Sequence, residues 1–304
     1  MSARRAGGTG ETGRGRNALV VDWDYFMENP LMTTPKGREV EWFLYDWCYS
    51  EPYGGHSKLD LLGPLGAYIW HTRARNFPAR GFPLPRCQGW ETFWDRFAAL
   101  ADAPLFYADS NLYAAPSKGF LPDGDGPWAR IDLYDAHHDC GYPGSSEEPD
   151  CGNWMAMHRR HGTADLRVHY PAWRPSLDVA GEGPPQVHVR RRIDPGGPVR
   201  VRYDAVFLCR SGEWVPPWCD DQFQDFLERY PGPVVRVGPL PERPFDPELA
   251  ELGGRVSRVT LRPGGLSAVT SALGTLQRGG QVDLSGDPEL AEAVRLVREG
   301  LVTL

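Results

Sequence analysis

The chain has 304 residues, of which 41% are apolar and 12% aromatic, so it can bury a sizeable core in one large α/β domain or two small ones. Its net charge of −7 argues against a nucleic-acid-binding protein, which usually carries a clustered basic surface. No apolar run reaches the roughly 18–20 residues of a membrane span and no signal peptide is visible. We therefore expect a soluble, cytoplasmic protein with no nucleic-acid or membrane partner.

The amino-terminal part contains a polar tail and then a strong strand signal. Residues 1–16 are rich in Gly, Arg and Thr and are predicted to form a disordered tail. Residues 18–26 begin with four apolar residues and run into Asp22 and Asp24, which predicts a buried strand with acids at its carboxyl end. In open α/β sheets, ligands bind at that end of the strands.

Helical and extended patterns alternate along the next two hundred or so residues. The predicted helices cover residues 36–48, 90–100 and 222–229, and an irregular loop covers 49–65. The further predicted strands cover residues 104–111, 128–134, 203–209 and 234–237. This alternation favours a three-layer α/β/α fold with a mainly parallel sheet, and the polar residues after several strands favour one site at one sheet edge.

Two other segments complete the predicted organisation. A basic run at residues 190–192, with alternating valines on both sides and Pro195-Gly196-Gly197 between them, predicts a β-hairpin. It forms either a solvated face or a basic rim for an acidic peptide. Residues 17–262 are predicted to form one domain, and 263–304 a Gly-rich linker and a C-terminal helix that Asp287 caps.

The motif Asp135-x-His137-x-Asp139 directly follows the predicted strand 128–134. Carboxylate oxygens with one imidazole favour a borderline-hard divalent ion such as Mn²⁺, with Fe²⁺, Co²⁺ or Zn²⁺ as the other candidates. Asp22-x-Asp24 adds two carboxylates at the end of another buried strand. Buried aspartates cost several kcal/mol unless cations pair with them, so together the two motifs predict a metal site.

These motifs resemble those of a known family. Asp135-Ala136-His137-His138-Asp139 resembles the Asp-Ala-His-x-Asp motif of arginases and other ureohydrolases, and Asp22-Trp23-Asp24 resembles their second motif, Asp-x-Asp. Gly152-Asn153-Trp154 is similar to the Gly-Asn stretch of the arginase substrate loop. Because Asp-x-Asp comes first here, the order is closest to the arginase-like family that includes peptide arginases.

The resemblance implies an arginase-like metal-hydrolase domain with two Mn²⁺ ions. Asp22 and Asp135 would bridge the ions, Asp24 and His137 would complete one of them, and Asp139 would bind the other. Family members supply a further histidine from a strand end before the Asp-x-His-x-Asp motif. This chain has no histidine there, so the candidates for that ligand are Asp109, Asn111 and, from a loop, His56.

The implied reaction converts arginine side chains of a ribosomally made peptide to ornithine and urea, and a free guanidino compound is the other substrate class. Asn153 and Trp154 would contact the substrate, and Glu213 would hold its guanidinium, with Asp220 and Asp221 as alternatives. The leaving amine needs a general acid. The candidates for it are His158 and His161.

Two other functions are compatible with the same residues. The first is a metal-dependent amide hydrolase with one or two metal ions, of which a deacetylase of related fold would use a single zinc ion. A catalytically inactive binding module would keep the fold without turnover, and the missing strand-end histidine favours that alternative. A phosphoesterase is disfavoured because no Gly-rich phosphate cradle lies near the motifs.

Overall fold

A computed structural model describes residues 15–29, 70–118, 120, 126–145, 147–179, 182–212, 214–302 and 304. Its centre is a seven-stranded sheet in which every pairing is parallel. The strands are β1 (Asn17–Asp22), β2 (Leu105–Ala108), β3 (Arg130–Tyr134), β4 (Asp165–Tyr170), β5 (Arg190–Ile193), β6 (Ala205–Cys209) and β7 (Val234–Arg236). The spatial order is β5-β4-β3-β1-β6-β2-β7.

The central strand β1 explains where a site can form. It lies between β3 and β6, and its residues from Ala18 to Asp22 are buried. Val21 is in register with Tyr134 of β3, so the residues that follow these two strands emerge side by side. Because all strands run the same way, the carboxyl ends of β1, β2, β3 and β6 share one edge of the sheet.

Helices cover both faces of the sheet, which confirms the predicted three-layer α/β/α arrangement. Alternate residues of β1 point to opposite faces. Leu19 and Val21 enter a core with Phe223 and Phe226, and Val20 enters a second core with Trp154. The helices are α1 (Asn76–Ala79), α2 (Trp154–Arg160), α3 (Asp220–Glu228), α4 (Pro247–Thr260), α5 (Gly265–Gln277) and α6 (Pro288–Arg298).

The predicted β-hairpin around residues 190–192 is wrong. β5 pairs in parallel with β4, a strand that the sequence analysis missed, and Val199 forms a bridge with Phe97 instead of pairing back on β5. The side chain of Arg192 donates to the ring of His169 on β4, at 2.9 Å. Arg191 pairs with Asp178, so only part of the expected basic rim faces solvent.

The predicted helix at 90–100 is also wrong, because the segment consists of turns around one short 3-10 helix, Trp94–Arg96. Its aromatic residues do pack on one face of the sheet, which explains the helix-like spacing. The strand and helix predictions at 104–111, 128–134, 203–209, 222–229 and 234–237 are confirmed. The predictions at 36–48 and 49–65, and the tail up to residue 14, lie outside the described residues.

The C-terminal region differs from the predicted linker and single helix. Helices α4, α5 and α6 pack around their own small core, which includes Val256, Val269 and Val294. Asp287 caps α6, as predicted. Gly254 lets α4 approach α1, because a Cβ atom there would lie 2.5 Å from Pro78. Among the described residues, no helix has the length and apolar character to span a membrane.

Candidate metal centre

The candidate centre lies at the carboxyl ends of β1 and β3. Asp22 ends β1, and its Oδ1 accepts a hydrogen bond from the backbone N–H of Asp24, at 3.0 Å. That bond caps a 3-10 turn, Trp23–Phe26, which brings Asp24 back over the strand end. Asp135 directly follows β3. The neighbouring positions of the two strands therefore bring the two sequence motifs together.

Asp24, Asp135 and His137 form a group that could hold a metal ion. One ligand atom of each residue lies within 4.8 Å of the others. His137 Nδ1 is 2.9 Å from Asp24 Oδ2 and 3.6 Å from Asp135 Oδ1. Both carboxylates are buried, and the imidazole is 15% exposed. These oxygen and nitrogen donors suit a hard to borderline divalent cation.

Asn111 joins three carboxylates next to that group. Its Nδ2 donates to Oδ2 of Asp22 at 2.7 Å and to Oδ2 of Asp139 at 2.9 Å, and it lies 3.4 Å from Oδ2 of Asp135. Its Oδ1 is buried and has no hydrogen-bond partner in the described part of the chain. Because the two ends of an amide exchange places by rotation, Oδ1 can face the same three carboxylates when a cation lies between them.

The pKa values show how crowded the negative charge is. Burial and neighbouring carboxylates raise the pKa values of Asp22 and Asp135, and burial raises the pKa of Asp139 to about 7. Burial also acts on Asp24, but the adjacent His137 outweighs it and lowers the pKa of Asp24. Asp24 and Asp135 raise the pKa of His137 against the effect of burial. Burial and mutual repulsion thus disfavour the ionised forms of Asp22 and Asp135, and a cation between these side chains would favour them.

Asp139 is held in an unusual backbone conformation. Its φ is +47°, in the left-handed region that non-glycine residues seldom adopt. The indole N–H of Trp154 donates to Asp139 Oδ2 at 2.8 Å. Ser211, which follows β6 at the same sheet edge, also has a positive φ, of +58°. Such strain concentrates at functional sites, where surrounding contacts maintain it.

Of the two strand-end candidates for the missing ligand, the structure favours Asn111. Asp109 Oδ1 accepts a hydrogen bond from Nε of Arg210 at 2.5 Å, and both side chains are buried. This ion pair holds one oxygen of Asp109 at the segment that follows β6, whereas its Oδ2 is buried and, like Oδ1 of Asn111, has no hydrogen-bond partner among the described residues. Asp109 therefore stays a candidate for the ligand, and Asn111 is the candidate whose amide contacts Asp22 and Asp139. His56 lies outside the described residues.

The predicted substrate contacts of Asn153 and Trp154 are replaced by structural ones. Asn153 Oδ1 accepts from the backbone N–H of Asp150, and its Nδ2 donates to the carbonyl of Glu148, so it closes its own loop. Trp154 is fully buried, and its indole supports Asp139. Trp154 therefore supports a carboxylate of the candidate centre, whereas Asn153 stabilises the loop before α2.

His158 is not the general acid that the sequence suggested. It is fully buried, and its Nε2 donates to the carbonyl of Ala114 at 2.7 Å. Its ring packs against Phe120 and Trp154. Burial lowers its pKa to about 4, so it is neutral near pH 7 and lacks the proton to donate as an imidazolium. His161 is exposed at the carboxyl end of α2.

The alternatives for the guanidinium-binding carboxylate are engaged elsewhere. Asp220 pairs with both Arg210 and Arg243. Asp221 pairs with Arg86 at 2.6 Å and is 67% exposed. Glu213 lies outside the described residues, so its role stays a prediction.

Three further residues lie around the centre, and sequence reasoning missed two of them, Arg174 and Glu182. Trp214 packs against the ring of His137, with 4.9 Å between the ring centroids. Arg174 and Glu182 form a buried ion pair that contacts the backbone on both sides of His137. A lone Arg and a lone Glu eight residues apart carry no motif, so no sequence signal pointed to them.

Comparisons with protein-family models, with curated proteins and with solved structures found no match to this chain.

Proposed function

We propose that this chain is a dinuclear metal-dependent hydrolase of guanidino groups, which converts arginine side chains of a ribosomally made peptide to ornithine and urea. The observation that carries the proposal is a pair of donor sets that share Asp135. Asp24 and His137 lie on one side of it. On the other side, the amide of Asn111 stands where a second cation would bind, between Asp22 and Asp139.

The donor types support Mn²⁺ as the ion. Four carboxylates, one imidazole and one amide oxygen make a mostly oxygen-based set. Divalent ions held there would supply Lewis-acid activation of a water molecule. The chain's own residues fix the spacing: Asp22 is tied to the turn at Asp24, and Asp139 to the indole of Trp154.

The family resemblance, and not the charge of the site, suggests a guanidinium as the substrate group, because two divalent ions would neutralise the four carboxylates. In the proposed reaction the water oxygen bonds to the guanidinium carbon. The bond from that carbon to the side-chain nitrogen then breaks, and the nitrogen leaves as a protonated amine. One water and one guanidinium thereby yield urea and an ammonium group, so atoms and charge balance.

Glu213 is our proposal for the carboxylate that holds the guanidinium. It directly precedes Trp214 in the chain, and the ring of Trp214 packs against His137. A planar guanidinium is well matched both to a carboxylate and to an aromatic face. We propose a peptide as the substrate on the family resemblance alone, and free arginine is the alternative.

A single-ion amide hydrolase is the second candidate. The observation that favours it is that Asp24, Asp135 and His137 suffice for one ion without Asn111. A site with two carboxylates and one histidine would suit a single zinc ion in a deacetylase.

Metal content decides among these functions. We would load the purified chain with Mn²⁺, remove free ions, and count bound metal by plasma mass spectrometry for the wild type, Asp135→Ala and the control Asp165→Asn. Asp165 is a partly exposed carboxylate on β4 that pairs with Arg167, so its substitution removes the same charge outside the centre. Two ions per chain in the wild type and control, lost in Asp135→Ala, support the proposal.

Urea release from arginine-containing peptides and from free arginine then tests turnover. Two ions without urea from any substrate would indicate the inactive binding module. One zinc ion per chain would indicate the amide hydrolase. No bound ion in the wild type would contradict all metal-dependent functions.

A further inference from the structure

The segment that follows β4 lies against the backbone of the metal-binding loop. It contains Arg174 and Glu182, whose side chains pair directly. Arg174 is 2% exposed and Glu182 is 6% exposed. Burying an ion pair costs desolvation free energy in both partners. The other contacts of the two side chains therefore indicate which part of the protein the pair organises.

The guanidinium of Arg174 uses its donors in several directions. Its Nε donates to the carbonyl of Ser176 at 3.0 Å, and its Nη2 donates to that of Leu177 at 2.9 Å. Its Nη1 donates to the carbonyl of Ala136, and Nη2 also donates to Oε2 of Glu182. The planar fork thus joins its own loop, its ion-pair partner and the residue that precedes His137.

Glu182 contacts the backbone on the other side of His137, at His138. Its Oε1 accepts a hydrogen bond from the backbone N–H of His138 at 3.1 Å. The carbonyl of Gly183 is 3.3 Å from Nε2 of His138, whose Nδ1 accepts from the N–H of Cys140. Both peptide groups that flank His137 are therefore held by one ion pair.

The same backbone reaches the other candidate ligands. The N–H of Ala136 donates to Oδ1 of Asp24 at 3.1 Å, and the N–H of His137 donates to Oδ1 of Asp135 at 2.6 Å. A shift of the peptide at Ala136 would consequently move three candidate ligands with respect to one another.

We propose that Arg174 and Glu182 are positioning residues that set the ligand geometry at the metal centre through the backbone of Ala136 and His138. The inference rests on the proposed metal-binding function. Outer contacts of this kind orient metal ligands, and their loss typically lowers metal affinity 10- to 100-fold. Lysine cannot replace Arg174, because one ammonium group cannot donate in the same plane to Ala136, Leu177 and Glu182.

The test compares Arg174→Lys and Glu182→Gln with the wild type and with Arg167→Lys. Arg167 is the matched control, because it also forms an ion pair, with Asp165 on β4. That ion pair is separate from the metal-binding loop. Mn²⁺ affinity is measured by competition with a chelator, and the absorption spectrum of the chain saturated with Co²⁺ reports ligand geometry. Circular dichroism in excess chelator gives the folded fraction, so that affinities are compared for folded protein only.

We expect a 10- to 100-fold weaker Mn²⁺ affinity for Arg174→Lys, a smaller loss for Glu182→Gln, and altered Co²⁺ bands in both. Glu182→Gln keeps an acceptor for His138 and serves if Arg174→Lys does not fold. If the folded variants show the Co²⁺ spectrum of the wild type and Mn²⁺ affinities within twofold of the control, the inference is overturned. The proposed function stays intact in that case. No metal binding by the wild type would overturn both.

Discussion

The indole N–H of Trp154 and the carboxylate of Asp139 form a buried hydrogen bond, with 2.8 Å between Nε1 and Oδ2. The same Oδ2 accepts from Asn111. Asp139 thus reaches the candidate centre already oriented from two sides, in a backbone conformation that needs such support.

Trp154→Phe removes that hydrogen bond and keeps an aromatic ring. We expect Mn²⁺ affinity to fall about tenfold or more, because the orienting contact to a ligand is lost. The control is Trp128→Phe, since Trp128 belongs to the same core and its indole nitrogen bonds to none of the described residues. In chelator, Trp154→Phe should lose more free energy of unfolding than Trp128→Phe, because only Trp154 gives up a hydrogen bond to a buried carboxylate, so the affinities are compared for the folded fraction. Equal Mn²⁺ affinities in chelator competition would rule out the orienting role of Trp154.

Substitutions of Asn111 test its role as the ligand of a second ion. Asn111→Ala should lower the metal content from two ions per chain to one, because the remaining group of Asp24, Asp135 and His137 is intact. Asn111→His should retain two ions, since an imidazole nitrogen replaces the amide oxygen. Plasma mass spectrometry of Mn²⁺-loaded protein measures both, and an unchanged count for Asn111→Ala would remove Asn111 from the ligand set.

Asp109→Asn gives the complementary result if Asp109 serves only Arg210. The metal count should stay at the wild-type value, whereas the free energy of unfolding should fall by about 1.5–3 kcal/mol, because a buried guanidinium loses the closer of its two carboxylate partners and keeps Asp220. Urea denaturation measures the stability. A lost ion without a loss of stability would identify Asp109 as a ligand.

Asp22→Asn should change stability in opposite directions with and without metal. In chelator the free energy of unfolding should rise by about 1 kcal/mol or more, because burial and then the neighbouring carboxylates disfavour the ionised form of Asp22, whereas an amide carries no charge to bury. In saturating Mn²⁺ it should fall below the wild type, because bound ions stabilise the folded chain and the variant binds them less tightly. Thermal or urea unfolding under both conditions measures the difference. The same sign in both would argue against a cation in the cluster.

The surroundings of Asp132 predict how the free energy of unfolding changes as the pH falls into the acid range. It is buried against His169, Arg130 and Tyr203, with His169 Nε2 at 2.7 Å. Burial opposes ionisation, but these partners outweigh it and lower the pKa of Asp132. A lowered folded-state pKa contributes stability that is fully present above about pH 4 and is lost as pH falls through the folded-state value.

Asp132→Asn should therefore be less stable than the wild type at pH 6–7, by about 3–5 kcal/mol, because Arg130 lies beside a neutral amide. The gap should narrow as pH falls below about 4. Urea denaturation across pH 3–7 measures it, with the partly exposed Asp165→Asn as the control. A gap that does not change with pH would show that the charge of Asp132 is not what stabilises the fold.

Much of the fold was accessible from the sequence, because hydrophobicity and its periodicity along the chain are local signals. The apolar run before Asp22 is hydrophobic enough to be a central buried strand whatever surrounds it, and β1 confirms that. The acids that follow β1 and β3 were predicted to meet, because parallel strands end at one sheet edge. Local capping was equally readable at Asp287.

Predictions from local sequence patterns were wrong where contacts between distant residues decide the structure. The alternating valines beside residues 190–192 fit a hairpin, but long-range pairing to β4 satisfied the backbone of β5 instead. The sequence made His158 a general-acid candidate, yet the packing of α2 buries it against Ala114. Spacing along the chain does not reveal which side of a helix faces the core when its residues are mixed.

The sequence by itself determined a parallel α/β sheet and four aspartates with one histidine at its edge, because these follow from apolar runs and the residues that end them. Only the tertiary structure shows that Asn111 contacts Asp22 and Asp139 and that Asp109 pairs with a buried arginine 101 residues later in the chain. It alone also brought Arg174 and Glu182 to the backbone around His137. Such contacts join residues far apart in the chain, and their energy depends on burial that no local pattern encodes.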